Sequence, residues 1–278
     1  MFSPVFTMNK NTNESLRPAA VNYKNVAIVA IFHLLAIPAF FSFSIKNLLV
    51  LLILNWVVGG LGVGLGWHRL LTHRSFTVPK WLEYLLTIFG TLSIQDCPIK
   101  WVATHRIHHQ YTETSGDPHS TRDGFIWAHV GWVLWGDAQD HKQEKLERYV
   151  PDMLKDRGHI LISRFYYIPI IVSAALLFLA GGWSMVVWGV FARVVVGWHT
   201  TWFVNSLSHL YGGRPHQTND DSTNNWFVAL LTFGEGWHNN HHARPTAARH
   251  GIRWHQFDLN WITIKCMQRV GWASEIKH

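Results

Sequence analysis

The sequence predicts an all-α integral membrane protein with four transmembrane helices in a single domain, residues 1–278. Three observations predict this fold class. Only 15% of the residues are charged, whereas about a quarter is usual in a soluble domain, so a soluble enzyme with a large core is disfavoured. Four apolar stretches have close to the ~20 residues that a helix needs to cross the hydrocarbon core. They form two pairs with only a dipeptide between the members, which leaves room for tight hairpins.

The predicted spans are arranged as an N-terminal pair and a second pair nearer the C-terminus. They cover residues 25–45, 48–66, 160–180 and 183–203. A Lys-Asn dipeptide separates the first pair, and a Gly-Gly dipeptide forms the turn of the second. Residues 1–24 are polar and the first apolar stretch is long enough to stay in the bilayer, so we expect no cleavable signal peptide.

Lysines and arginines indicate the orientation of the spans. They are frequent in the N-terminal tail, between the two pairs and in the C-terminal part, whereas the two hairpin tips hold only Lys46. By the positive-inside rule, both termini and the central segment face the cytoplasm. The predicted cytoplasmic segments are residues 1–24, 67–159 and 204–278.

Three further stretches have the features of helices that lie at a membrane surface. Residues 81–94 and 226–234 are apolar but too short to count as spans, so we interpret them as interfacial or re-entrant helices. Residues 252–272 mix Trp with Arg and Lys, which is typical of a surface-lying helix.

The charge and cysteine content limit the classes of partner and site. A net charge of +7 suits cytoplasmic loops that face anionic lipid, and it also suits an acidic protein that docks on that face. We expect no nucleic-acid partner. Neither Cys97 nor Cys266 belongs to a C-x-x-C motif, so neither a disulfide framework nor a thiolate metal site is predicted.

Nine of the 19 histidines are concentrated in a few short segments. One segment has the pattern H-x-x-x-x-H, two have the pattern H-x-x-H-H, and a further histidine ends the sequence Asn-Ser-Leu-Ser-His. The nine are His68, His73, His105, His108, His109, His209, His238, His241 and His242. In the predicted topology, all of them lie at cytoplasmic span ends or in cytoplasmic segments. One membrane face can therefore collect them into a single site.

The chemistry and spacing of these histidines predict metal binding. Imidazole is a good ligand for iron, copper, nickel and zinc, and a helix presents the three rings of H-x-x-H-H on one side. The H-x-x-x-x-H pair is wider than one helical turn, so we place it at the frayed cytoplasmic end of the second span. Because a structural zinc uses about four ligands, nine candidates indicate two metals with four or five imidazoles each. Ligand type alone leaves copper and zinc open.

Three acidic residues lie close to the histidine groups in the sequence. Glu113 and Asp117 follow the second group, and Glu235 directly precedes the third. Carboxylates commonly orient metal-binding imidazoles by accepting their second N–H. We therefore treat these acids as candidates for that role, with solvated loop acids as the alternative.

Other polar residues fall where burial is expected. His33 and His199 lie inside predicted spans, where a hydrogen bond between helices is the favoured interpretation. His119 and His129 are candidates for supporting or structural positions. Arg193 lies in the middle of the fourth span, where a charge normally faces the bundle interior, and we expect it to bond to backbone carbonyls.

The chain contains three motifs that resemble the histidine boxes of the membrane-bound fatty acyl desaturases, namely GWHRLLTHRSF, WVATHRIHHQYTETSGDPHSTRDGF and GEGWHNNHH. The resemblance extends from about Asn55 to Trp254 and is greatest to the stearoyl-type delta-9 branch, with the cyanobacterial acyl-lipid members most alike. It implies four spans with a cytoplasmic helical cap carrying a di-iron site. It also implies an oxidoreductase that uses O2 and two electrons to convert a saturated acyl chain to a cis delta-9 monoene.

The resemblance also assigns roles to individual residues. It makes all nine histidines iron ligands and places Asn205 where the family reaches iron through water. The bend of the family's acyl tunnel falls on Gln95, Trp101, Thr201 and Trp202. The inner end of the tunnel falls on Trp56 and Gly60, although bulky residues are routine in spans without such a role. A bent, dry tunnel would hold one carbon pair toward the oxidant.

One departure from the family concerns the headgroup of the substrate. Animal acyl-CoA desaturases bind CoA with an Asn, an Arg-Asp pair and an Arg-Lys pair, whereas the matching positions here are Asp96, Ala103, Thr104 and the segment WGDAQDH. A nucleotide with several phosphates would lack cationic partners at such a surface. We therefore expect a stearoyl or palmitoyl chain esterified to a glycerolipid, with acyl-CoA as the alternative.

The resemblance also bears on the electron donor. Cyanobacterial members take electrons from ferredoxin, an acidic protein that suits a basic face, and cytochrome b5 is the alternative donor.

Two other functions remain open from the sequence. A fatty acyl hydroxylase of the same histidine-box class would deliver oxygen to the acyl chain. A membrane metal transporter would use the histidines as an ion pathway, but such ligands are expected within the bilayer and not at its edge.

Overall fold

The computed structural model describes residues 20–137 and 139–278, so residues 1–19 of the predicted cytoplasmic tail lie outside the described residues. The described part is helical, with isolated β-bridges and no extended strand, in agreement with the predicted all-α class. The α-helices are α1 (Tyr23–Ala36), α2 (Ile45–Asn55), α3 (Lys80–Thr91), α4 (Pro98–Tyr111), α5 (Trp132–Leu134), α6 (Gln143–Tyr149), α7 (Pro151–Leu154), α8 (Arg157–Arg164), α9 (Ile168–Val186), α10 (Arg193–Ser206), α11 (Trp226–Leu231), α12 (His238–Ala243) and α13 (Leu259–Arg269). Trp56–Thr72, Trp127–Gly131 and Val187–Ala192 are π-helical, and Ile37–Phe41, Thr121–Asp123 and Leu207–His209 are 3-10 helices.

Three helical segments in the described part are long and apolar enough to cross a membrane. They are Tyr23–Phe41, Ile45–Thr72 and Ile168–His209. The third has 42 residues and is interrupted at Gly181 and Gly182, whose backbone is not helical. Gly182 has a φ of 66°, a conformation that glycine adopts without steric cost. The Gly-Gly turn expected between the last two spans is thus present, while the count of four spans remains a proposal.

The first predicted hairpin has different boundaries in the structure. The turn consists of residues 42–44, and Lys46 and Asn47 already belong to α2, because the Ser44 side chain caps that helix by accepting the backbone N–H of Asn47. The second segment also continues to Thr72 rather than ending at residue 66. The helix therefore carries part of the first histidine group.

The predicted start of the third span at residue 160 is wrong. Residues 160–164 belong to α8, whose apolar and polar side chains lie on opposite faces, and the apolar segment begins at Ile168. Asp156 starts α8 by accepting the N–H groups of Gly158 and His159. The break follows at Phe165, whose backbone is not helical, and Pro169 lies in the first turn of α9. Hydropathy alone does not reveal this break.

Apolar side chains cover the outside of the long segments. Phe40, Phe41 and Leu179 are 85%, 86% and 82% exposed. Such a large apolar surface is unfavourable in water and suits contact with lipid.

Glycines allow the π-helix Trp56–Thr72 to pack directly against α3. A Cβ atom on Gly62 would overlap the backbone of Gly90, and one on Gly66 would lie 2.9 Å from the carbonyl oxygen of Leu86. The indole N–H of Trp67 donates to the Thr87 carbonyl at 3.0 Å. This close approach fixes the helix that carries the first histidine group against its neighbour.

Polar residues inside the spans have partners of the expected kinds. Arg193 donates to the carbonyls of Leu92 (2.8 Å) and Gly189 (3.2 Å). The Nε2 atoms of His33 and His199 lie 3.1 Å apart, which joins α1 to α10. Satisfied polar groups of this kind are the ones that the interior of a membrane protein accommodates.

Candidate metal centre

The structure gathers the nine predicted histidines into two neighbouring groups. The five-histidine group contains His68, His73, His105, His109 and His241. The four-histidine group contains His108, His209, His238 and His242. Within each group, one ligand atom of every residue lies within 4.8 Å of the others. Residues distant in sequence thus form two clusters of the size predicted for two metals.

A π-type turn brings the first two histidines together. The backbone N–H of His73 donates to the carbonyl of His68, five residues earlier, at 3.1 Å, and the ring centroids of the two residues are 4.7 Å apart. An α-helix would place such a pair beyond one turn, whereas a π-turn brings residues five apart together. The pair therefore lies at the end of the second apolar helix, as predicted, but its backbone is hydrogen-bonded there and not frayed.

Each H-x-x-H-H motif divides its histidines between the two groups. On α4, His105 and His109 face the five-histidine group, while His108 faces the other. On α12, His241 joins the first group, and His238 and His242 join the second. Both helices thus contribute to both clusters, so the two clusters are held at a fixed separation by the same two helices.

Carboxylates contact the Nδ1 atoms of several of these histidines. His68 pairs with Glu235 at 2.6 Å and His108 with Asp117 at 2.9 Å. His209 lies 3.0 Å from Glu113, and His242 lies 2.9 Å from Asp220. A carboxylate at Nδ1 fixes the proton there and leaves the lone pair on Nε2. The three acids predicted from the sequence are therefore beside the histidines, and Asp220 is a fourth that the sequence did not identify.

The Nε2 atoms converge without enough protons to satisfy one another. Nε2 of His238 lies 3.0 Å from Nε2 of His209 and 3.0 Å from Nε2 of His242, although one proton on His238 can serve only one neighbour. The Nε2 atoms of His73 and His108 are buried with no hydrogen-bond partner. Converging lone pairs in a buried site are the arrangement that a cation stabilises. The residues present therefore fit a metal in each group.

Burial favours the neutral form of six of the nine imidazoles. It lowers the pKa of His73, His105, His109, His238, His241 and His242 well below the usual range, and repulsion from neighbouring histidines lowers it further. For Glu113, burial raises the pKa, but the contacts with His209 and the hydrogen bond from Ser120 together outweigh this effect and lower it to about 2. These six imidazoles are thus in the neutral form that binds metal, whereas at His108 burial lowers the pKa but the charge of Asp117 and its neighbours outweighs this and raises it.

A buried ion cluster lies behind the five-histidine group. Arg69 is 0% exposed and donates to Glu235 Oε1 at 2.8 and 3.0 Å and to Asp258 at 2.9 and 3.1 Å. Asn260 donates to the same Glu235 oxygen at 2.7 Å. Because Glu235 also binds His68, this cluster determines where the first histidine of the sequence stands.

Two cavities meet at the histidines. The first, of about 210 Å³, is lined by Gln95, Trp101, Thr201, Trp202 and Asn205, and it extends to polar residues at its mouth. The second, of about 60 Å³, runs beside the π-helix and is lined mainly by apolar and small residues. Both are lined by Trp101, His105 and Thr201. These shared residues stand between the two cavities, at a place we call the constriction, and His105 is itself a member of the five-histidine group.

The constriction is held by a short hydrogen-bond chain. The indole N–H of Trp101 donates to Gln95 Oε1 at 3.1 Å, and Gln95 Nε2 donates to Thr201 Oγ1 at 3.1 Å. The chain joins α4 to α10 across the cavity wall.

Comparison with known proteins decides the family. Residues 44–265 match the family model described as Fatty acid desaturase. The chain belongs to the fatty acid desaturase family. This membership confirms the resemblance carried by the three histidine motifs, and it makes the protein an oxidoreductase.

Characterised relatives cover most of this desaturase. The sn-1 stearoyl-lipid 9-desaturase of Anabaena variabilis is 45% identical over 92% of the chain and 94% of its own length. The sn-2 palmitoyl-lipid 9-desaturase of Nostoc sp. (strain 36) is 43% identical over 91% of the chain and 89% of its own length. The acyl-CoA C20 Delta5-desaturase of Anemone leveillei is 43% identical over 91% of the chain and 81% of its own length. Relatives thus include both lipid and CoA desaturases.

Some residues assigned by resemblance are placed differently. Trp56 and Gly60 contact each other, since a Cβ on Gly60 would lie 2.9 Å from the Trp56 ring, but neither lines the two cavities of the desaturase. Gly59 does line the second cavity. Asn205 lines the first cavity beside His105 and is not a member of either histidine group.

Several residues of this desaturase site could not be recognised from the sequence. Asp220, Asp258 and Asn260 lie in polar segments with no motif around them, and Arg69 is one of many basic residues of the chain. His250 is a lone histidine in the sequence, yet it is buried against the five-histidine group. It belongs to none of the histidine motifs, so the sequence does not indicate a role for it.

Proposed function

We propose that the protein is an acyl-lipid delta-9 desaturase. It would remove two hydrogens from a stearoyl or palmitoyl chain of a glycerolipid at a centre of two irons. The observation that carries this proposal is the position of the five- and four-histidine groups beside the Trp101–Gln95–Thr201 constriction.

The histidine groups would hold the two irons. The nine histidines supply the ligands, Asn205 would act through a water, and Glu113, Asp117, Asp220 and Glu235 would fix the orientation of the imidazoles. With O2 and two electrons, the bound irons supply the oxidising power for hydrogen removal. Family membership favours iron over the copper and zinc that imidazole alone permits.

The cavity walls would position the acyl chain. A chain that enters through the first cavity and continues into the second must pass Trp101 and Thr201, where His105 faces it. Gln95 and Trp202 complete this wall. Because a saturated chain has no polar group to bind, the shape of the constriction selects which carbon pair stands beside the metals. The delta-9 position itself is proposed from the relatives.

The mouth of the first cavity favours a glycerolipid over acyl-CoA. Among the described residues that line it, Asp96, Asp137 and Asp140 outnumber Lys24 and Lys100. Lys100 is moreover paired, with its Nζ 2.8 Å from Asp140 and 3.7 Å from Asp96. The phosphates of CoA would meet a net negative surface there.

The positive charges of the chain support a proposal for its topology and for its electron donor. We propose four spans, with the Ile168–His209 segment crossing twice, and both termini and the metal centre on the cytoplasmic side. The net charge of +7 would attract an acidic donor such as ferredoxin, and cytochrome b5 is the alternative.

Lipid analysis in a host without monoenes tests the function. Expression of the protein should yield cis delta-9 monoenes in glycerolipids, and the purified chain should contain about two irons. His108→Ala should abolish the product and lower the iron content, because its Nε2 faces the four-histidine group and its Nδ1 is held by Asp117. His255→Ala, at an exposed histidine, is the matched control.

The alternatives predict different outcomes in the same experiment. A hydroxylase gives an alcohol, a CoA desaturase acts on acyl-CoA at least as fast as on lipid, and a metal transporter moves ions across proteoliposomes without an acyl product. Metal-free protein that remains active would refute the di-iron proposal.

A further inference from the structure

A tenth histidine lies against the five-histidine group. His250 is 1% exposed, and its ring centroid is 4.5 Å from that of His241 and 5.5 Å from that of His68. Its Nδ1 is 3.3 Å from Glu235 Oε2, the oxygen that binds His68 at 2.6 Å. His250 therefore contacts two histidines of the group and the carboxylate that holds one of them.

The backbone of His250 is fixed on both sides of the ring. Its N–H donates to Asp258 at 2.9 Å, and the N–H of Gly251 donates to the same carboxylate at 3.1 Å. Its carbonyl accepts from the Asn240 side chain at 2.8 Å. Asn240 directly precedes His241, and Asp258 is bound to Arg69. The residue is therefore anchored to the same two parts of the chain that present the metal-binding rings.

The ring itself has little other reason to be buried. Nε2 of His250 has no hydrogen-bond partner, and its Nδ1 has only the 3.3 Å contact with Glu235, whereas a buried polar group without a partner costs about 1–3 kcal/mol. An apolar side chain would avoid this cost. The place of an imidazole here thus requires an explanation beyond packing.

The side chain that His250 can support is that of His241. The Nδ1 atoms of His68, His108, His209 and His242 each contact a carboxylate. By contrast, Nδ1 of His241 is buried without a partner, and the His250 ring packs against the His241 ring with centroids 4.5 Å apart. His241 is also the ring whose Nε2 lies between those of His68 (3.1 Å) and His109 (3.0 Å). A shift of His241 would therefore disturb the whole group.

We propose that His250 is a positioning residue for the five-histidine group. Its ring holds His241 in the orientation that points Nε2 at the metal. Its Nδ1–H shares the Glu235 carboxylate with His68, so that one acid orients both rings. The proposal rests on metal binding by this group as proposed above, but it requires no substrate or electron donor.

Cobalt binding to the full-length, metal-free protein in detergent tests this role. Co²⁺ is the probe because its visible absorption reports ligand geometry at imidazole sites. His250→Ala should weaken one of the two Co²⁺ sites by about 10–100-fold, the usual effect of losing a residue that supports a ligand, and should shift its absorption bands. The other site should keep its affinity. His255→Ala, five residues later and exposed, should change neither site.

Two further variants separate the two contacts. His250→Phe keeps a ring against His241 without the N–H, and His250→Asn keeps a donor near Glu235 without the ring. Each should recover part of the lost affinity, and they remain decisive if the alanine variant does not fold. Wild-type affinity and spectrum in His250→Ala would overturn the proposal. The proposal would also be overturned if neither His250→Phe nor His250→Asn recovered any affinity. Loss of one nitrogen neighbour per chain by X-ray absorption in His250→Ala would overturn it as well, because His250 would then be a ligand.

The outcome is separable from that of the proposed function. Metal affinity and spectra are measured without turnover, so a protein that binds two metals but makes no monoene would refute the desaturase proposal and leave the role of His250 intact.

Discussion

The Nδ1 atom of His242 lies 2.9 Å from a carboxylate oxygen of Asp220. The two residues come from separate segments, α12 and the loop that follows Leu207–His209. The contact makes that loop part of the support for the four-histidine group, because a carboxylate at Nδ1 orients the ring and raises the basicity of Nε2.

Asp220→Asn should lower metal affinity. The amide keeps the size of the side chain but is a weaker acceptor for the imidazole N–H, so we expect the four-histidine group to bind iron about 10–100-fold more weakly. Iron titration of the metal-free protein measures this change. Asp221→Asn is the control, because Asp221 pairs with the exposed Arg122. Equal affinities in the two variants would contradict a role for Asp220.

Thr201→Val should loosen the constriction. The substitution removes the acceptor of Gln95 while keeping the shape of the side chain. We expect about tenfold slower turnover and some double bonds at neighbouring positions, since small errors in positioning cost large factors in rate. Mass spectrometry of the products locates the double bonds. The control is Thr263→Val, because the Thr263 hydroxyl bonds only within α13; it should change neither the rate nor the double-bond position. A single unaltered product from Thr201→Val would show that the hydrogen bond between Gln95 and Thr201 is dispensable.

Asp140→Asn should improve the use of acyl-CoA. Asp140 neutralises Lys100 at the mouth of the first cavity, and its removal frees that cation to meet a phosphate. The wild type should act far more slowly on acyl-CoA than on lipid, and the variant should lower the KM for acyl-CoA by up to about fivefold, the scale of an exposed ion pair. High salt should cancel the gain. Equal wild-type rates on the two substrates would refute the headgroup argument.

Asp156→Asn should reduce thermal stability in a pH-dependent way. Burial raises the pKa of Asp156, but hydrogen bonds from Lys80 and Tyr84 outweigh it and depress the pKa well below its usual range. A carboxyl with a depressed pKa stabilises the fold above its unfolded pKa of about 4 and loses this effect as pH falls. The wild type should therefore melt at a higher temperature than the variant at pH 7, and the difference should shrink on acidification below about pH 4. Asparagine retains the cap of α8, so a difference that did not change with pH would contradict a contribution from the Asp156 charge.

The sequence predicts the parts of this protein that local patterns encode. Hydropathy identifies the long apolar helices, and the density of histidines identifies the candidate metal centre, because nine imidazoles in four short segments have no ordinary structural use. The desaturase family is confirmed. The beginning of the last apolar segment was missed, since non-helical backbone at Phe165 divides α8 from α9 without a change in average hydropathy.

The residues that hold the histidines in place could not be predicted, because they lie far from their partners in the sequence. Asp220 reaches His242 across 22 residues, and Arg69 reaches Asp258 across 189. Neither pair has a local pattern, and His250 is one isolated histidine among many. Such contacts exist only once the chain has folded.

The five-residue spacing of His68 and His73 imposes a strict requirement on chain length. Loops elsewhere tolerate inserted or deleted residues, but here one residue more or fewer rotates one ring away from its partner along the helix surface. Variation in this family should accordingly change the identity of the four intervening residues while preserving their number. In protein design, transfer of His68 and His73 to another helix would fail unless the π-type turn between them were transferred as well.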